Sequence, residues 1–388
     1  MRIVLKTFGC RLNRAEALDQ EAQLLAMGHD IVSLDKGMPP DVIIVRGCSV
    51  TAKAERDCRK AIARIRAQFP SARVQLVGCL KGQKPQPMPT APHPVPLRTA
   101  RAYLKIQDGC SGKCAFCIVP SFRGAPRSVP FAQILERARA FLDAGYRELV
   151  VTGCNLALYH DSGHGLADVL AALASEAGPH RVRLSSLEPG VCDADVLAAF
   201  AAHPNICRFI HLSVQSGSDS ILRRMNRPYG SETIDRICAD AIQSLGPRLS
   251  LGADIITGFP GETDADFAAT CALVRRHPFS NLHVFPYSER PGTSAASMAG
   301  RVPPAVRRMR AKEIGAIGWA KRQAFAASFA GKTVEACIER DRTGWTAEYL
   351  KCRLVPPSGQ TSCNLHRRSL AAGRVIRVEG DALVAEAL

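Results

Sequence analysis

The feature that most constrains this chain is an alternation of strand-like and helix-like segments that recurs from the N-terminus to about residue 330. RIVLKTFG reads as a strand, RAEALDQEAQLLAMGH as an amphipathic helix, DVIIVRGC as a second apolar strand, AERDCRKAIARIRAQFP as a second helix and RVQLVGC as a third strand. Such alternation builds a parallel sheet, because parallel neighbours need a crossover that a helix supplies. It breaks once. Residues 81–99, KGQKPQPMPTAPHPVPLRT, hold six prolines and no helical or strand period, so they read as an extended linker and a domain boundary. Beyond it six more strands follow: YLKIQDG, RELVVTG, RVRLSSLEP, FIHLSVQ, LSLGADIITGFPG and NLHVFPYS, each but the last trailed by a helix. A partial parallel barrel closes such a pattern naturally. A helical run from about 303 to 330 comes next, and after Gly331 short strands and turns suit a small β-barrel. The fold class is therefore α/β, with an N-terminal α/β domain over residues 1–95, a partial six-stranded (β/α) barrel over 96–329 and a small β-barrel over 330–388.

Cysteine placement sharpens this outline. The three N-terminal strands run into Cys10, Cys48 and Cys79, and the carboxyl ends of parallel strands converge on one sheet edge, where such folds place their sites. CSGKCAFC, at the end of the first barrel strand, puts Cys110, Cys114 and Cys117 within eight residues. Three thiolates suit a tetrahedral zinc that keeps a water, or a 4Fe-4S cluster with one iron left open. No second Cys or His pair of zinc-finger spacing lies nearby. Fifteen cysteines are too many for one role. Cys58, Cys192, Cys207, Cys238, Cys271, Cys337, Cys352 and Cys363 sit singly in apolar patterns and are expected to pack as small hydrophobes.

The chain carries 51 Lys and Arg against 35 Asp and Glu, a net charge of +16, which fits a polyanionic partner. Residues 301–323 concentrate it, with seven Lys or Arg against one Glu, and are expected to form a helix with a basic face. The longest apolar runs fall short of the roughly 18 residues of a membrane span, and the start lacks a signal peptide's apolar core, so a soluble cytoplasmic protein is expected.

The spacing C-x3-C-x-F-C resembles that of the radical S-adenosylmethionine (SAM) superfamily. The wider set TFGCRLN, RGCSVTAKAERDCRK, CSGKCAFCIVPSFRGAPRS, VVTGCNLALY, RVRLSSLEP, HLSVQSGSDSILRRMNRPY, ADIITGFPGET and HVFPYSERPGT resembles, in order and over nearly the whole chain, the methylthiotransferases of that superfamily. The resemblance implies two 4Fe-4S clusters. Cys110, Cys114 and Cys117 would hold the one whose open iron chelates SAM, Cys10, Cys48 and Cys79 the auxiliary one, and the C-terminal barrel would be an RNA-binding TRAM domain. An electron passed into the bound sulfonium would yield the 5′-deoxyadenosyl radical, which a closed barrel protects from side reactions.

Position in the resembling barrel implies the SAM pocket. Phe116 would pack beside the adenine; Thr152, Gly153 and Asn155, ending the second strand, would meet the amino group; Ser185, Ser186 and Glu188 end the third strand, and Gln215 and Ser216 the fourth, where a polar side chain reaches the ribose. Arg123 and Arg127 follow the cluster loop and are weaker candidates for a substrate phosphate or carboxylate. Trp345 and Tyr349 are expected to pack in the barrel core, with stacking on RNA as the alternative.

GCRLNRAEA, with Asn13 and Glu16, resembles most the branch acting on tRNA N6-threonylcarbamoyladenosine. That implies methylthiolation at carbon 2 of the modified adenosine at position 37, in the anticodon stem-loop, with two SAM molecules per turnover and an unspecified sulfur source and electron donor. Isopentenyladenosine tRNA or a ribosomal protein are alternative substrates within the family, and a non-catalytic iron–sulfur RNA-binding protein is the alternative from another class. Two departures stand out: RGCSVT replaces the commoner Asn-Thr-Cys pattern, and the short Cys79-to-Cys110 interval predicts an N-terminal domain shortened at its end.

Overall fold

The computed structural model describes residues 1–34, 39–80, 99–357 and 365–388. The proline-rich stretch over 81–98 and Cys363 lie outside them, as does the place where the N-terminal domain is expected to be shortened.

Four strands, β1 (Arg2–Thr7), β2 (Asp30–Ile31), β3 (Val42–Cys48) and β4 (Arg73–Cys79), form a parallel sheet in the order β2-β1-β3-β4. Helices α1 (Arg11–Ala26) and α2 (Ala52–Gln68) make the crossovers. β2 is a two-residue edge that sequence period alone does not reveal. α2 starts where Thr51 accepts a hydrogen bond from the Ala54 amide at 3.1 Å, and Cys58, Ile62 and Ile65 form its buried stripe against Ile43 and Val45.

The second unit holds the six expected strands. β5 (Ala102–Lys105), β8 (Glu148–Thr152) and β9 (Arg181–Leu184) pair in parallel, as do β10 (Phe209–Gln215), β11 (Ser250–Thr257) and β12 (Phe279–Pro286). The parallel bridges Val182–Ile206 and Leu187–Leu212 join the two halves. A two-residue ribbon, β6 (Gln107–Asp108) with β7 (Arg127–Ser128), ties down the cysteine loop, which contains the short α3 (Val119–Arg123). The outer layer is α4 (Phe131–Asp143), α5 (Leu166–Ala174), α6 (Ala194–Ala202), α7 (Asp219–Arg224), α8 (Ser231–Leu245), α9 (Asp264–Arg276) and α10 (Pro304–Ala327). Period-two alternation sorts each strand: Ile210, Leu212 and Val214 of β10 join the helix-packed core, so Phe209, His211, Ser213 and Gln215 face the barrel interior.

β13 (Thr333–Arg340), β14 (Thr343–Thr346), β15 (Lys351–Val355), β16 (Leu370–Glu379) and β17 (Ala382–Ala387) close a barrel in the order β13-β14-β15-β17-β16 around Val334, Ile338, Leu354 and Leu383. Its junction with the larger barrel is ionic. Glu148, fully buried, takes Arg183 Nε on Oε1 at 2.7 Å and Arg181 Nε on Oε2 at 2.7 Å, and Arg101 lies 3.8 Å away. Arg183 Nη2 also donates to the Thr346 carbonyl at 2.8 Å, and Arg101 Nε to Glu339 at 3.0 Å. Burial pushes the Glu148 carboxyl up, but the three guanidiniums outweigh it and hold it well below the usual carboxylate range.

One sequence expectation changes here. Helix α10 forms, but its basic face is largely spent: Arg307 pairs with Glu289 at 3.0 Å, Arg310 with Glu262 at 2.6 Å, and Arg322 with Asp381 at 2.7 Å, while Lys321 donates to the Arg275 and His277 carbonyls. Trp345 and Tyr349 stack on each other at 4.6 Å, and Tyr349 stacks on Phe209 of β10 at 4.7 Å, so these rings cement the junction of the two barrels instead of presenting faces to RNA. Their pattern in the sequence shows aromatic content; which surface covers it is a tertiary matter. Among the cysteines expected to be structural, all seven within the described residues are buried.

Candidate functional site

Each cysteine of the N-terminal group follows a glycine, and the backbone explains why. Gly9 has φ +100°, and a Cβ there would lie 2.8 Å from Cys48 Cβ; only glycine lets the chain turn from β1 and set Cys10 at the start of α1, over the sheet edge. Cys48 and Cys79 end neighbouring strands as direct register partners. The three thiols therefore converge although 69 positions separate the outer two, 10 and 79 in the numbering.

The second group is made by the loop itself. Gly109 has φ +72°, and a Cβ would sit 1.9 Å from the Ala125 carbonyl oxygen, so the turn into Cys110 tolerates glycine alone. The Cys110 amide donates to the Gly124 carbonyl at 3.0 Å, and Gly112 N–H donates to Cys110 Sγ at 3.2 Å. The loop is thereby wrapped around its own sulfurs.

Donors aimed at sulfur recur in both groups. Arg227 Nη1 lies 2.9 Å from Cys114 Sγ, and its Nη2 pairs with Glu188 Oε1 at 2.9 Å. Asn155 Nδ2 donates to Glu188 Oε2 at 3.2 Å and lies 4.0 Å from Cys110 Sγ. Arg123 Nε lies 3.1 Å from Cys79 Sγ. Such donors suit sulfur that carries negative charge.

A charge count around Arg123 makes the same point independently. Its Nη1 meets Glu16 at 2.7 Å and Asp108 at 2.9 Å; Lys105 meets the same two carboxylates at 3.0 and 2.6 Å; Arg46 meets Glu16 at 2.8 Å. All five side chains are buried. Three buried cations, with Arg127 on the outer side of Asp108 at 3.4 Å, face two carboxylates, so the network is short of anions, and the Cys79 sulfur lies 3.1 Å from Arg123 Nε. Burial pushes the Cys79 thiol up to about 11, with the neighbouring Arg123 pulling the other way.

Spacing then separates the two metal chemistries. Tetrahedral zinc, with Zn–S of about 2.3 Å, needs thiolates roughly 3.8 Å apart. Among the described residues only one group of three His, Cys, Asp or Glu has its ligand atoms all within 4.8 Å of one another, and neither cysteine group is it. Neither cysteine group is therefore gathered as tightly as a single ion requires.

Around the loop cysteines, the SAM-pocket expectations divide. Asn155 stands 4.0 Å from Cys110 Sγ, and Glu188 is held between Asn155 and Arg227. Phe116 packs edge-on to Phe259 at 6.5 Å, in an apolar cluster with Ala115 and Tyr287. Thr152 is buried at the end of β8; Gly153 has no room for a Cβ, which would meet Gln107 Cβ at 3.0 Å. Gln215 ends β10 in the left-handed region, φ +70°, and Ser186 is exposed. The buried Ser185 hydroxyl has no partner. The Ser216 hydroxyl meets Thr270 Oγ1 of α9 at 3.2 Å and accepts from Ser218 N–H at 3.1 Å. The Arg123 guanidinium is engaged in the buried network; Arg127, exposed, lies 3.4 Å from Asp108. Two residues were missed. Arg227 lies inside the quoted RRMNRPY, yet nothing in its spacing ties it to a sulfur. Cys154 lies two residues beyond β8 and its Sγ is 3.4 Å from Asp108 Oδ1; its signal is the Gly-Cys pair that also ends β3 and β4 and follows β6.

A cleft of about 740 Å³ opens beside the N-terminal cysteines, between the two units, lined by Phe8, Gly9, Lys53, Arg56, Phe285 and Arg308 among others. Phe285 is 41% exposed, which is unusual for so large an apolar ring. Arg290 on Glu55 at 2.7 Å and the Ala52 amide on Ser288 at 3.0 Å tie the two walls of the cleft together. Among the described residues no helix is long and apolar enough to cross a membrane.

Comparison with known proteins adds a separate line of support. Residues 104–274 match the radical SAM superfamily and residues 2–96 the uncharacterized protein family UPF0004. A threonylcarbamoyladenosine tRNA methylthiotransferase MtaB of Chlamydia pneumoniae is 31% identical over 98% of this chain and 97% of its own. The protein of that name from Thermotoga maritima is 34% identical over 77% of each chain. A tRNA-2-methylthio-N(6)-dimethylallyladenosine synthase of Cereibacter sphaeroides is 31% identical over 76% of this chain and 78% of its own. Among solved structures, the radical SAM methyltransferase TsrM of Kitasatospora setae shares the fold, with a TM-score of 0.56 at 12% identity over 76% of this chain and 77% of that one.

Proposed function

Because the chain belongs to the radical SAM tRNA methylthiotransferases, we propose that it transfers a methylthio group to carbon 2 of N6-threonylcarbamoyladenosine at position 37 of tRNA, in the cytoplasm. The observation that carries the substrate is the similarity, over 98% of the chain, to a relative named for that nucleoside. Two 4Fe-4S clusters are part of the proposal: one on Cys110, Cys114 and Cys117, one on Cys10, Cys48 and Cys79. When bound, the loop cluster supplies the electron that cleaves the sulfonium, and the auxiliary cluster carries the sulfur to be transferred.

The chain's own residues do the rest. Glu188, fixed between Asn155 and Arg227, offers a carboxylate beside the loop sulfurs for the SAM amino group. Arg227 and the Gly112 amide donate to sulfur, which favours the thiolate charge there. Arg123 locks the N-terminal sheet edge onto the barrel by pairing at once with Glu16 of α1 and Asp108 of β6. Two cysteine groups on separate domains are thereby held in one relative position. The cleft beside Gly9 gives the nucleoside a route, with Lys53, Arg56 and Arg308 for phosphates and Phe285 for a base. Mass spectrometry of tRNA nucleosides from cells with and without the protein tests this: 2-methylthio-threonylcarbamoyladenosine should vanish in its absence. The similarity to a dimethylallyladenosine synthase supports a second reading, under which the isopentenyl analogue vanishes instead.

A further inference from the structure

One cluster of ligating side chains belongs to neither cysteine group. His211 of β10, Asp254 of β11 and His283 of β12 project from three adjacent strands, and their ligand atoms all lie within 4.8 Å of one another. His211 Nε2 is 3.0 Å and His283 Nδ1 3.2 Å from Asp254 Oδ1. The geometry points to a site for one divalent transition-metal ion, of the zinc or manganese class, on the inner wall of the larger barrel.

Four observations support it. Metal bonds of about 2.0–2.1 Å at tetrahedral angles place neighbouring ligand atoms roughly 3.3 Å apart, close to both spacings seen. Two imidazoles with one carboxylate are borderline nitrogen and oxygen ligands, a set that suits zinc, manganese or ferrous iron and neither calcium nor an iron–sulfur cluster. The framework is rigid, because Asp254 and His283 are direct register partners and His211 pairs with Gly252, two residues before Asp254. Gly252 matters in itself: a Cβ there would fall 2.3 Å from His211 Nδ1, so the missing side chain is what lets the imidazole lie across β11 and reach Asp254.

Access and charge fit as well. His211 is buried, whereas the His283 side chain is 51% exposed, so an ion would keep an open position on one side, as sites that exchange a water or a substrate atom do. The neighbouring cation, Arg11, is engaged by the Leu184 carbonyl at 3.1 Å and by the Tyr349 ring at 5.1 Å. The site stands on its own ligands and does not depend on the methylthiotransferase substrate.

The test uses full-length, cluster-reconstituted protein, stripped of loose metal and titrated anaerobically with Mn2+, with free Mn2+ followed by electron paramagnetic resonance. Manganese avoids the free thiols, which prefer softer ions. Wild type should bind one Mn2+ per chain and release it to Zn2+. Asp254→Asn and His283→Gln should each weaken binding by at least about 100-fold, beyond the 10–100-fold that changes behind the ligands cost, with iron content unchanged. If Asp254→Asn also loses iron, the half-exposed His283→Gln decides. No binding by wild type, or equal binding by wild type and His283→Gln, overturns the site.

Discussion

The two cysteine groups reach similar ends by opposite routes. Cys110, Cys114 and Cys117 lie on one loop, whose amides and single glycine turn organise it locally. Cys10, Cys48 and Cys79 are gathered by a parallel sheet, so their convergence depends on register, on two crossover helices and on a left-handed turn at Gly9. A local site survives small shifts of its domain. A site gathered by a sheet is only as good as the packing around it, and here that packing includes a charged network whose cations come from both domains.

Breaking the local group should have the largest effect. Cys114→Ala is expected to reduce 5′-deoxyadenosine formation by the reduced protein to background, measured by chromatography. Breaking the gathered group should separate the functions: Cys48→Ala should lower iron from roughly eight to four atoms per chain and stop methylthio transfer, while SAM cleavage persists. Persistence of the methylthio product would show that the sheet-edge group is dispensable.

The network between the groups comes next. Arg123→Gln removes one cation from Glu16 and Asp108, which keep Arg46, Lys105 and Arg127, and should cost about 1–3 kcal/mol in denaturant unfolding. It should also change the paramagnetic spectrum of the auxiliary cluster, isolated in a Cys114→Ala background, because it removes a donor from Cys79. Glu148→Gln probes the other junction, which contains no proposed ligand, and should cost about 3 kcal/mol without altering either cluster's spectrum. Glu148 titrates below its ordinary 4.5 when folded, so its stabilisation is complete above that pH and is lost as pH falls through the lower folded value. Trp345, bonded to Glu339 at this junction, should report the loss by fluorescence below about pH 4.5, and the pH dependence should be absent in Glu148→Gln. The smallest effect is at the cleft rim: Lys53→Ala removes an exposed pair with Asp57 and should change stability by less than about 0.5 kcal/mol. It should nonetheless lower the salt dependence of tRNA binding by about one unit of slope.

Much of the scaffold was legible because strand-helix periods are local. The six barrel strands, helix α10 and the closed C-terminal barrel follow from apolar spacing and turn residues. The short edge strand β2 was not, since two residues carry no period. Long basic side chains misled for a related reason: Arg123, Arg307 and Arg310 look alike as charges in a sequence, and only their neighbours reveal that all three are buried and paired. Trp345 and Tyr349 were ambiguous because an aromatic ring serves a core, a junction or a nucleobase equally well.

The sequence by itself determined the elements, the loop cysteines and the Gly-Cys pairs at the strand ends, because each depends on residues a few positions apart. Only the tertiary structure decided that Cys79 meets Arg123, that Arg227 reaches Cys114 and that His211, Asp254 and His283 share one point. Those contacts join residues tens of positions apart, and what brings them together is strand register and the burial of charge, which the chain acquires only when it packs.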